Sequence, residues 1–144
     1  MKFLCYNTSC FKKKCLRITN MTNKKIGILT SGGDCGGLNA AIRSIFFRAK
    51  NKYNMDVFGI KDGTAGLMQR PVSAIKLNHK IFEGYLLRQG GTFLGSTNKG
   101  NPFKFPTKDG KYIDRSKEII EGYHLMKLDG LIIIGGDGSM QILK

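Results

Sequence analysis

The sequence has no long apolar run. A helix that spans a bilayer needs roughly 18–20 consecutive apolar residues, and no stretch of the 144 residues approaches that length. The hydrophobic fraction of 41% is nevertheless ordinary for a globular chain. We therefore expect one globular domain of the soluble class, with no membrane among its partners.

Acidic residues are scarce. Asp and Glu number 10 against 24 Lys and Arg, which gives a net charge of +14. An excess of this size suits nucleic acid, a membrane surface or phosphorylated metabolites. The basic residues are spread along the chain, and no zinc-finger spacing or alternation of aromatic and basic residues indicates a nucleic-acid surface. We expect phosphorylated metabolites, and no nucleic acid, as partners.

Cysteines are few and lack the spacing of a metal site. Cys5, Cys10 and Cys15 form a C-x4-C-x4-C pattern, and Cys35 stands alone in a glycine-rich stretch. This pattern matches no common zinc or redox motif. With no secretory signal peptide in the sequence, it predicts reduced thiols and a cytoplasmic location.

Residues 1–20 differ from the rest of the chain. They are basic, contain no acid and have no sustained apolar run, and Met21 follows them. Three interpretations remain open: a flexible tail, translation upstream of a natural start at Met21, and a transit peptide, because basic leaders have this composition. We expect residues 1–20 to be disordered or foreign to the native protein, and the folded domain to occupy residues 21–144.

Strands and helices are predicted to alternate after residue 25. Apolar runs at residues 26–30, 55–60 and 130–134 predict buried strands. Buried strands that alternate with helices are typical of an open parallel sheet with helices on both faces. The predicted fold class is therefore α/β.

The helices are predicted from periodicity and capping residues. A stripe of apolar residues from Leu38 to Ala49 predicts the first helix, a second is predicted over residues 79–89, and Asp114 is expected to cap a third that runs to about Lys127. Residues 61–78 are expected to be irregular. Proline and glycine signals in residues 102–110 predict an exposed loop or a small hairpin.

Two glycine-rich loops follow predicted strands, at residues 30–37 and 135–139. In an open α/β sheet, ligands bind beyond the carboxyl ends of the strands, where glycines let the backbone approach a phosphate. The candidates are Gly32, Gly33, Gly136 and Gly138. Asp137 has two open roles, as a Mg²⁺ ligand or as a helix cap. Because the Walker A and G-x-G-x-x-G patterns are both absent, the residues alone predict a phosphate-binding domain and no particular reaction.

Four motifs in order resemble the 6-phosphofructokinase family. Residues 26–34 (IGILTSGGD) with 37–43 (GLNAAIR) are similar to its opening motif, and residues 59–63 (GIKDG), 90–96 (GGTFLGS) and 133–139 (IIGGDGS) are similar to the three that follow. The resemblance implies a Rossmann-like amino-terminal domain that binds nucleotide and phosphate. The loop at residues 97–102 resembles the branch that holds both ATP-using and diphosphate-using enzymes.

The resemblance also implies a role for each matched residue. Gly33 would contact the transferred phosphate, Asp137 would bind Mg²⁺, and Lys99 would stabilise charge on the transferring phosphoryl group, with Asn98 as the other occupant of that phosphate-binding position. The nucleotide site would be lined by Gly136, Gly138 and Ser139. A carboxylate, a cation and backbone donors are the set that phosphoryl transfer requires.

The implied reaction is transfer of the γ-phosphate of Mg-ATP to fructose 6-phosphate, giving fructose 1,6-bisphosphate in glycolysis. ATP and fructose 6-phosphate would be the partners and Mg²⁺ the cofactor, in a homo-oligomer, dimer or tetramer, at full length. Gly138 leaves room for ATP, where an aspartate would favour diphosphate. The alternatives are a diphosphate-dependent enzyme, a non-catalytic phosphate-binding remnant, and an NAD or lipid kinase, although those kinases lack the motif of residues 30–43.

Three residues depart from the family pattern. Gly36 stands where the family usually has proline, and Thr64 stands where bacterial members often carry a tyrosine against the nucleotide. Arg43 matches an effector-binding position of some members, but Phe47 replaces the arginine one turn later. The resemblance therefore predicts no regulatory site here.

The chain stops soon after the 135–139 loop, which leads us to expect an amino-terminal fragment that is incomplete at its carboxyl end and inactive alone. The reading frame beyond codon 144 should encode Pro-Gly-Thr-Ile-Asp-Asn-Asp, whose acidic residues would supply the catalytic base. Sequencing roughly another domain's length of that region tests this expectation. Lysine in place of the glycine would indicate a diphosphate-dependent enzyme, and a stop codon would indicate a remnant.

Overall fold

A four-stranded sheet lies at the centre of the computed structural model, which describes residues 23–97, 101–107 and 109–142. The strands of the protein are β1 (Lys25–Ser31), β2 (Asp56–Ile60), β3 (Ala74–Lys76), β4 (Phe105–Pro106), β5 (Tyr112–Ile113) and β6 (Gly130–Gly135). The strand order of the central sheet is β3-β2-β1-β6, with β1 parallel to both β2 and β6 and β3 antiparallel to β2. A separate two-stranded hairpin joins β4 to β5.

Side chains of the central strands alternate between two hydrophobic clusters. Ile28 and Leu29 are adjacent in β1 and both fully buried, but they belong to different clusters. Val57 and Ile60 divide in the same way in β2. Because successive side chains of a strand point to opposite faces, the sheet is covered on both sides. The predicted α/β class with helices on both faces is confirmed, but the sheet, which was expected to be parallel, is mixed because β3 runs antiparallel to β2 at the edge.

Helix α1 (Leu38–Tyr53) covers one face of the sheet. Its residues Ile42, Phe46 and Ala49 are buried in the cluster that contains Ile28, as the apolar stripe predicts. The helix begins after Gly37, whose φ of 92° lies in the left-handed region that favours glycine. The chain therefore turns sharply between β1 and α1, and that turn forms the first glycine-rich loop.

Helices α2 (Thr64–Met68) and α3 (Ser116–Leu125) cover the other face with Leu29, Ile60 and Leu128. Asp114, the predicted cap of α3, lies one residue before the observed N-cap residue, Arg115. The Asp114 carboxylate nevertheless accepts a hydrogen bond from the Ser116 N–H at 2.8 Å. That bond lowers the pKa of Asp114. The described part of the chain has no helix of the length and apolarity that a membrane crossing requires.

Two further predictions are wrong in this region. Residues 61–78, expected to be irregular, form α2 and the edge strand β3. Elements of five and three residues are too short to show a period in the sequence. The single helix predicted over residues 79–89 is instead two 3₁₀ helices, His79–Phe82 and Gly84–Arg88. Glu83 lies between them, and the second begins at Gly84, whose φ of 79° is in the left-handed region. The hairpin predicted in residues 102–110 corresponds to β4 and β5.

Helices α2 and α3 approach each other through a glycine. A Cβ added to Gly122 of α3 would overlap the backbone carbonyl of Leu67 in α2. Arg70 ties the same two helices, because its guanidinium donates to the carbonyls of Leu67 and Glu118 at 2.8 and 3.0 Å. The close contact therefore depends on the absence of a side chain at position 122.

We expect Gly122→Ala to lower the free energy of unfolding by about 1–3 kcal/mol, because the new methyl group must displace backbone. Alanine normally stabilises a helix interior relative to glycine by roughly 0.5–1 kcal/mol. A decrease in the free energy of unfolding would therefore indicate the steric contact with Leu67. Urea denaturation of the chain measures the change. Gly138→Ala is the control, since a Cβ at Gly138, in the first turn of the last helix, meets no atom within 4 Å. A stabilising Gly122→Ala would contradict the packing.

Candidate phosphate-binding site

Three glycine-rich loops meet beyond the carboxyl ends of β1 and β6: loop 1 (residues 31–37), loop 2 (residues 90–97) and loop 3 (residues 135–139). Parallel pairing places Ser31 opposite Gly135, so loops 1 and 3 leave neighbouring strand ends side by side. A Cβ at Gly32 would lie 3.6 Å from the Ser139 Oγ and 3.9 Å from the Gly136 nitrogen. The sheet register therefore brings loop 1 into contact with loop 3.

Loop 2 is bound to loop 1 through both backbone groups of one glycine. The Gly32 N–H donates to the Thr97 carbonyl at 3.1 Å. The Gly32 carbonyl accepts from the Ser96 hydroxyl at 3.0 Å. The φ of Gly32 is 91°, a conformation that disfavours any side chain. Gly32 therefore links loop 1 to loop 2, and both its N–H and its carbonyl are hydrogen-bonded within the protein.

Three glycines predicted to bind phosphate are open to solvent. Gly33, Gly136 and Gly138 are exposed, and a Cβ at each would meet no atom within 4 Å. The lack of side chains leaves the backbone of loops 1 and 3 accessible to a bulky anion. These residues therefore lie where the sequence predicts them, on adjoining loops.

Asp137 and Ser139 have different surroundings in loop 3. Asp137 is exposed in the first turn of helix α4 (Asp137–Ile142), where a carboxylate suits the helix dipole. Ser139 is buried, and a Cβ at Gly135 would overlap its hydroxyl. Asp137 can reach a ligand, whereas Ser139 packs inside the protein beside Gly32 of loop 1.

Asn98 and Lys99 lie outside the described residues, so their proposed roles stay predictions. The residue before them is placed. Thr97 contacts loop 1 through Gly32, and its methyl group would lie 3.3 Å from a Cβ at Gly63. The chain therefore enters the segment that carries Lys99 from a position beside loop 1.

Two buried polar residues that the sequence analysis did not select hold loop 2 in place. Thr30 donates its hydroxyl to the Gly95 carbonyl at 2.8 Å. Asn39 accepts from the Phe93 N–H at 2.9 Å. Asn39 could have been found from the sequence, because it is a polar residue three positions before Ile42 on an otherwise apolar helix face. Thr30 resembles any strand residue and carries no such signal.

The residues that depart from the family pattern have defined positions. The Arg43 guanidinium stacks over the Phe47 ring, 4.5 Å from its centroid, which is a cation–π contact. Thr64 is buried at the start of α2. Cys35 is an exposed free thiol in loop 1, and a Cβ at the adjacent Gly36 would meet no atom within 4 Å.

No group of three or more His, Cys, Asp or Glu side chains that could hold a metal ion occurs among the residues the structure describes. A magnesium ion at this site would therefore take few ligands from the protein. That agrees with the usual behaviour of Mg²⁺, which is bound by one or two carboxylates together with waters and phosphate oxygens. The exposed Asp137 beside two open glycines fits such a site.

Relatives of known name match most of the chain. The ATP-dependent 6-phosphofructokinase 1 of Synechocystis sp. is 57% identical over 121 residues, covering 84% of this chain and 33% of that protein. The protein of the same name from Nostoc sp. is 56% identical over 122 residues, covering 85% and 33%. The chain thus spans about a third of the length of these curated relatives.

Solved structures show the same fold. Phosphofructokinase of Pichia pastoris in the T-state superposes with a TM-score of 0.68 at 31% identity, covering 84% of this chain and 12% of that one. The Saccharomyces cerevisiae structure gives 0.65 at 30% identity, covering 83% and 15%. The family model described as Phosphofructokinase matches residues 25–144, which include all three loops. The chain therefore belongs to the phosphofructokinase family.

Proposed function

We propose that this chain is the amino-terminal, phosphate-binding part of an ATP-dependent 6-phosphofructokinase. The whole enzyme would transfer the γ-phosphate of Mg-ATP to fructose 6-phosphate and release fructose 1,6-bisphosphate. The observation that carries the proposal is the meeting of loops 1, 2 and 3 at adjacent strand ends, with three open glycines beside an exposed carboxylate. The names of the Synechocystis and Nostoc relatives support the choice of ATP.

The described loops suit the phosphates of the nucleotide. Gly33 would donate its N–H to the transferred phosphoryl group, and Gly136 and Gly138 would leave space for the rest of the triphosphate. Ser139, which is buried beside Gly32 of loop 1, would bind nucleotide only through its hydroxyl. Backbone donors in fixed positions need no reorganisation during reaction, which is the chief advantage in phosphoryl transfer.

Asp137 would hold the Mg²⁺ that accompanies ATP, directly or through a bound water. The ion would neutralise charge on the phosphate oxygens. Lys99 would stabilise the charge of the transferring group, with Asn98 beside it at the phosphates. We assign no base for the sugar hydroxyl within this chain, and we propose that it and the sugar-binding residues belong to other parts of the enzyme. We further propose that the whole enzyme is a homo-oligomer and acts in the cytoplasm.

Diphosphate is the second candidate donor. Phosphofructokinases of both kinds share this fold, since the pyrophosphate-dependent enzyme of Marinobacter aquaeolei superposes with a TM-score of 0.60 at 17% identity. Position 138 favours ATP, because Gly138 is exposed and offers no side chain that would obstruct the α-phosphate. A phosphate-binding remnant without activity is the alternative from another class.

A chimera tests the proposed function. Residues 25–144 of this chain would replace the matching third of the Synechocystis enzyme, and ATP-dependent phosphorylation of fructose 6-phosphate would be measured. We expect kcat within roughly tenfold of the parent enzyme, because the loops of this chain should hold the phosphates in the same place. A misplaced phosphate site would lower the rate by about 100-fold or more. The parent enzyme is the control. A folded chimera that binds fructose 6-phosphate but does not turn over would support the remnant.

Asp137→Ala in the chimera should lower kcat by about 100-fold or more, because the ligand for Mg²⁺ is lost and each tenfold corresponds to about 1.4 kcal/mol of transition-state stabilisation. The dependence of rate on Mg²⁺ concentration should shift upward. Asp109→Ala removes an exposed carboxylate from the turn between β4 and β5 and should change neither quantity. Equal effects of the two variants would count against Asp137 as the magnesium ligand.

Gly138→Asp in the chimera should raise KM for ATP by roughly tenfold or more, because a carboxylate facing the α-phosphate adds like-charge repulsion of up to several kcal/mol. Diphosphate consists of one transferred phosphoryl group and one leaving phosphate and has no counterpart of the α-phosphate, so its KM should be less affected. Gly138→Asn is the matched control, since it adds the same volume without charge. An unchanged ratio of kcat/KM values for ATP and diphosphate would show that position 138 does not select the donor.

A further inference from the structure

Asn39 is a buried amide that joins the start of α1 to loop 2. It is the second residue of the helix and only 3% of its surface is exposed. Its Oδ1 accepts from the Phe93 N–H at 2.9 Å, and its Nδ2 donates to the carbonyls of Leu86 and Gln89 at 3.2 and 3.4 Å. Both N–H groups and the oxygen of the side-chain amide are therefore hydrogen-bonded to one segment of the chain, residues 86–93.

Thr30 also holds loop 2. It precedes loop 1 in the sequence, whereas Asn39 follows it. It is fully buried near the end of β1. Its hydroxyl donates to the Gly95 carbonyl at 2.8 Å and lies 3.1 Å from the Thr92 hydroxyl. Since a hydroxyl has one hydrogen to donate, Thr92 must donate to Thr30, and the Thr92 oxygen accepts from the Leu94 N–H at 3.2 Å. The bonds run in one direction from Leu94 through both threonines to Gly95.

Loop 2 is also packed closely against its surroundings. The Leu94 side chain is almost fully buried and occupies the space that a Cβ at Gly59 would need. The Leu94 carbonyl accepts from the Asp62 N–H at 2.9 Å. Gly91 and Gly95 have φ values of 75° and 76°. A Cβ at either would overlap a carboxylate, that of Asp34 or that of Asp62. One arrangement of loop 2 satisfies all of these contacts.

Burying Asn39 and Thr30 carries a free-energy cost of desolvation that two apolar residues would avoid. Burying an amide or a hydroxyl is unfavourable unless its hydrogen bonds are made, and Asn39 occupies the helix face that also carries Ile42 and Phe46. Both residues flank loop 1, Thr30 just before it and Asn39 just after it. The hydrogen bonds they make all reach loop 2 or Leu86 and Gln89, which precede it. Their common effect is to set the distance between the two loops.

We propose that Asn39 and Thr30 are positioning residues that hold loop 2 against loop 1, and so keep loop 2 in a fixed position beside the phosphate that Gly33 would bind. This inference rests on the proposed function. Phosphoryl transfer depends on the placement of charge around the phosphoryl group, and displacement of a reacting group by about 1 Å can cost roughly 100-fold in rate. Neither residue needs to touch the substrate.

The kinetic test uses Asn39→Ala in the chimera described above, with Ile42→Val as the control for lost stability, because it removes one buried methyl group from the same helix face. We expect Asn39→Ala to lower kcat by about 10–100-fold, with KM for ATP changed less than kcat. Ile42→Val should lower the urea midpoint and leave kcat within about twofold. Equal kcat values for the two variants would overturn the proposal.

The second test needs no activity. Amide hydrogen exchange of the full chain should show faster exchange at Phe93 and Leu94 in Asn39→Ala, by at least about tenfold, and not in Ile42→Val. Thr30→Val, which is isosteric and lacks the hydroxyl, should also speed amide exchange at Leu94. Thr30→Ser, which keeps the hydroxyl, should leave that rate unchanged. This pair decides the matter if Asn39→Ala does not fold. Unchanged exchange in Thr30→Val would overturn the proposal.

The two tests separate the two proposals. If the unmodified chimera folds and binds fructose 6-phosphate but has no activity, the proposed function is wrong for this chain, and hydrogen exchange still decides whether Thr30 and Asn39 hold loop 2. If the chimera is active and loop 2 exchanges slowly in every variant, the function stands and the positioning role is wrong.

Discussion

The parallel pairing of β1 with β6 is the constraint on which the rest of the site depends. It aligns Ser31 with Gly135, so the turns that follow the two strands begin at the same edge of the sheet. Two strands far apart in sequence thereby deliver two glycine-rich loops to one place. Loop 1 cannot shift relative to loop 3 without breaking the ladder, because neighbouring parallel strands share evenly spaced hydrogen bonds along their length. The open glycines are thus held by rigid elements.

Close packing on both faces of the sheet protects that register. On the α1 face, Leu94 fills the space above Gly59, and on the opposite face the Leu67 carbonyl approaches Gly122. Each contact exists because a side chain is missing, and each would be lost if a methyl group were added. A sheet buried on both sides by such contacts resists slippage, since a shift of one residue would turn every apolar side chain to the wrong face.

Polar groups inside this apolar framework are concentrated in the neighbourhood of the loops. Thr30, Asn39 and Ser139 are buried, whereas the aspartates beside the site, Asp34 and Asp137, are exposed. Each of these buried groups lies within or beside one of the three glycine-rich loops, and the hydrogen bonds of Thr30 and Asn39 reach loop 2. The framework therefore combines apolar layers, which stabilise the fold, with a small polar layer that determines where the loops stand.

The sequence by itself determined the α/β class, helix α1 and the glycine-rich loops, because the alternation of apolar residues and the positions of glycine are local properties that one segment displays alone. Only the tertiary structure decided that β3 runs antiparallel at the edge, that residues 79–88 form two 3₁₀ helices with a break at Glu83, and that Thr30 and Asn39 reach loop 2. Those outcomes depend on partners 47–65 residues away in the case of the hydrogen bonds, and on the space left beside the sheet in the case of the short elements. A contact between distant residues leaves no periodic signal in either segment, so it appears only when the chain has folded.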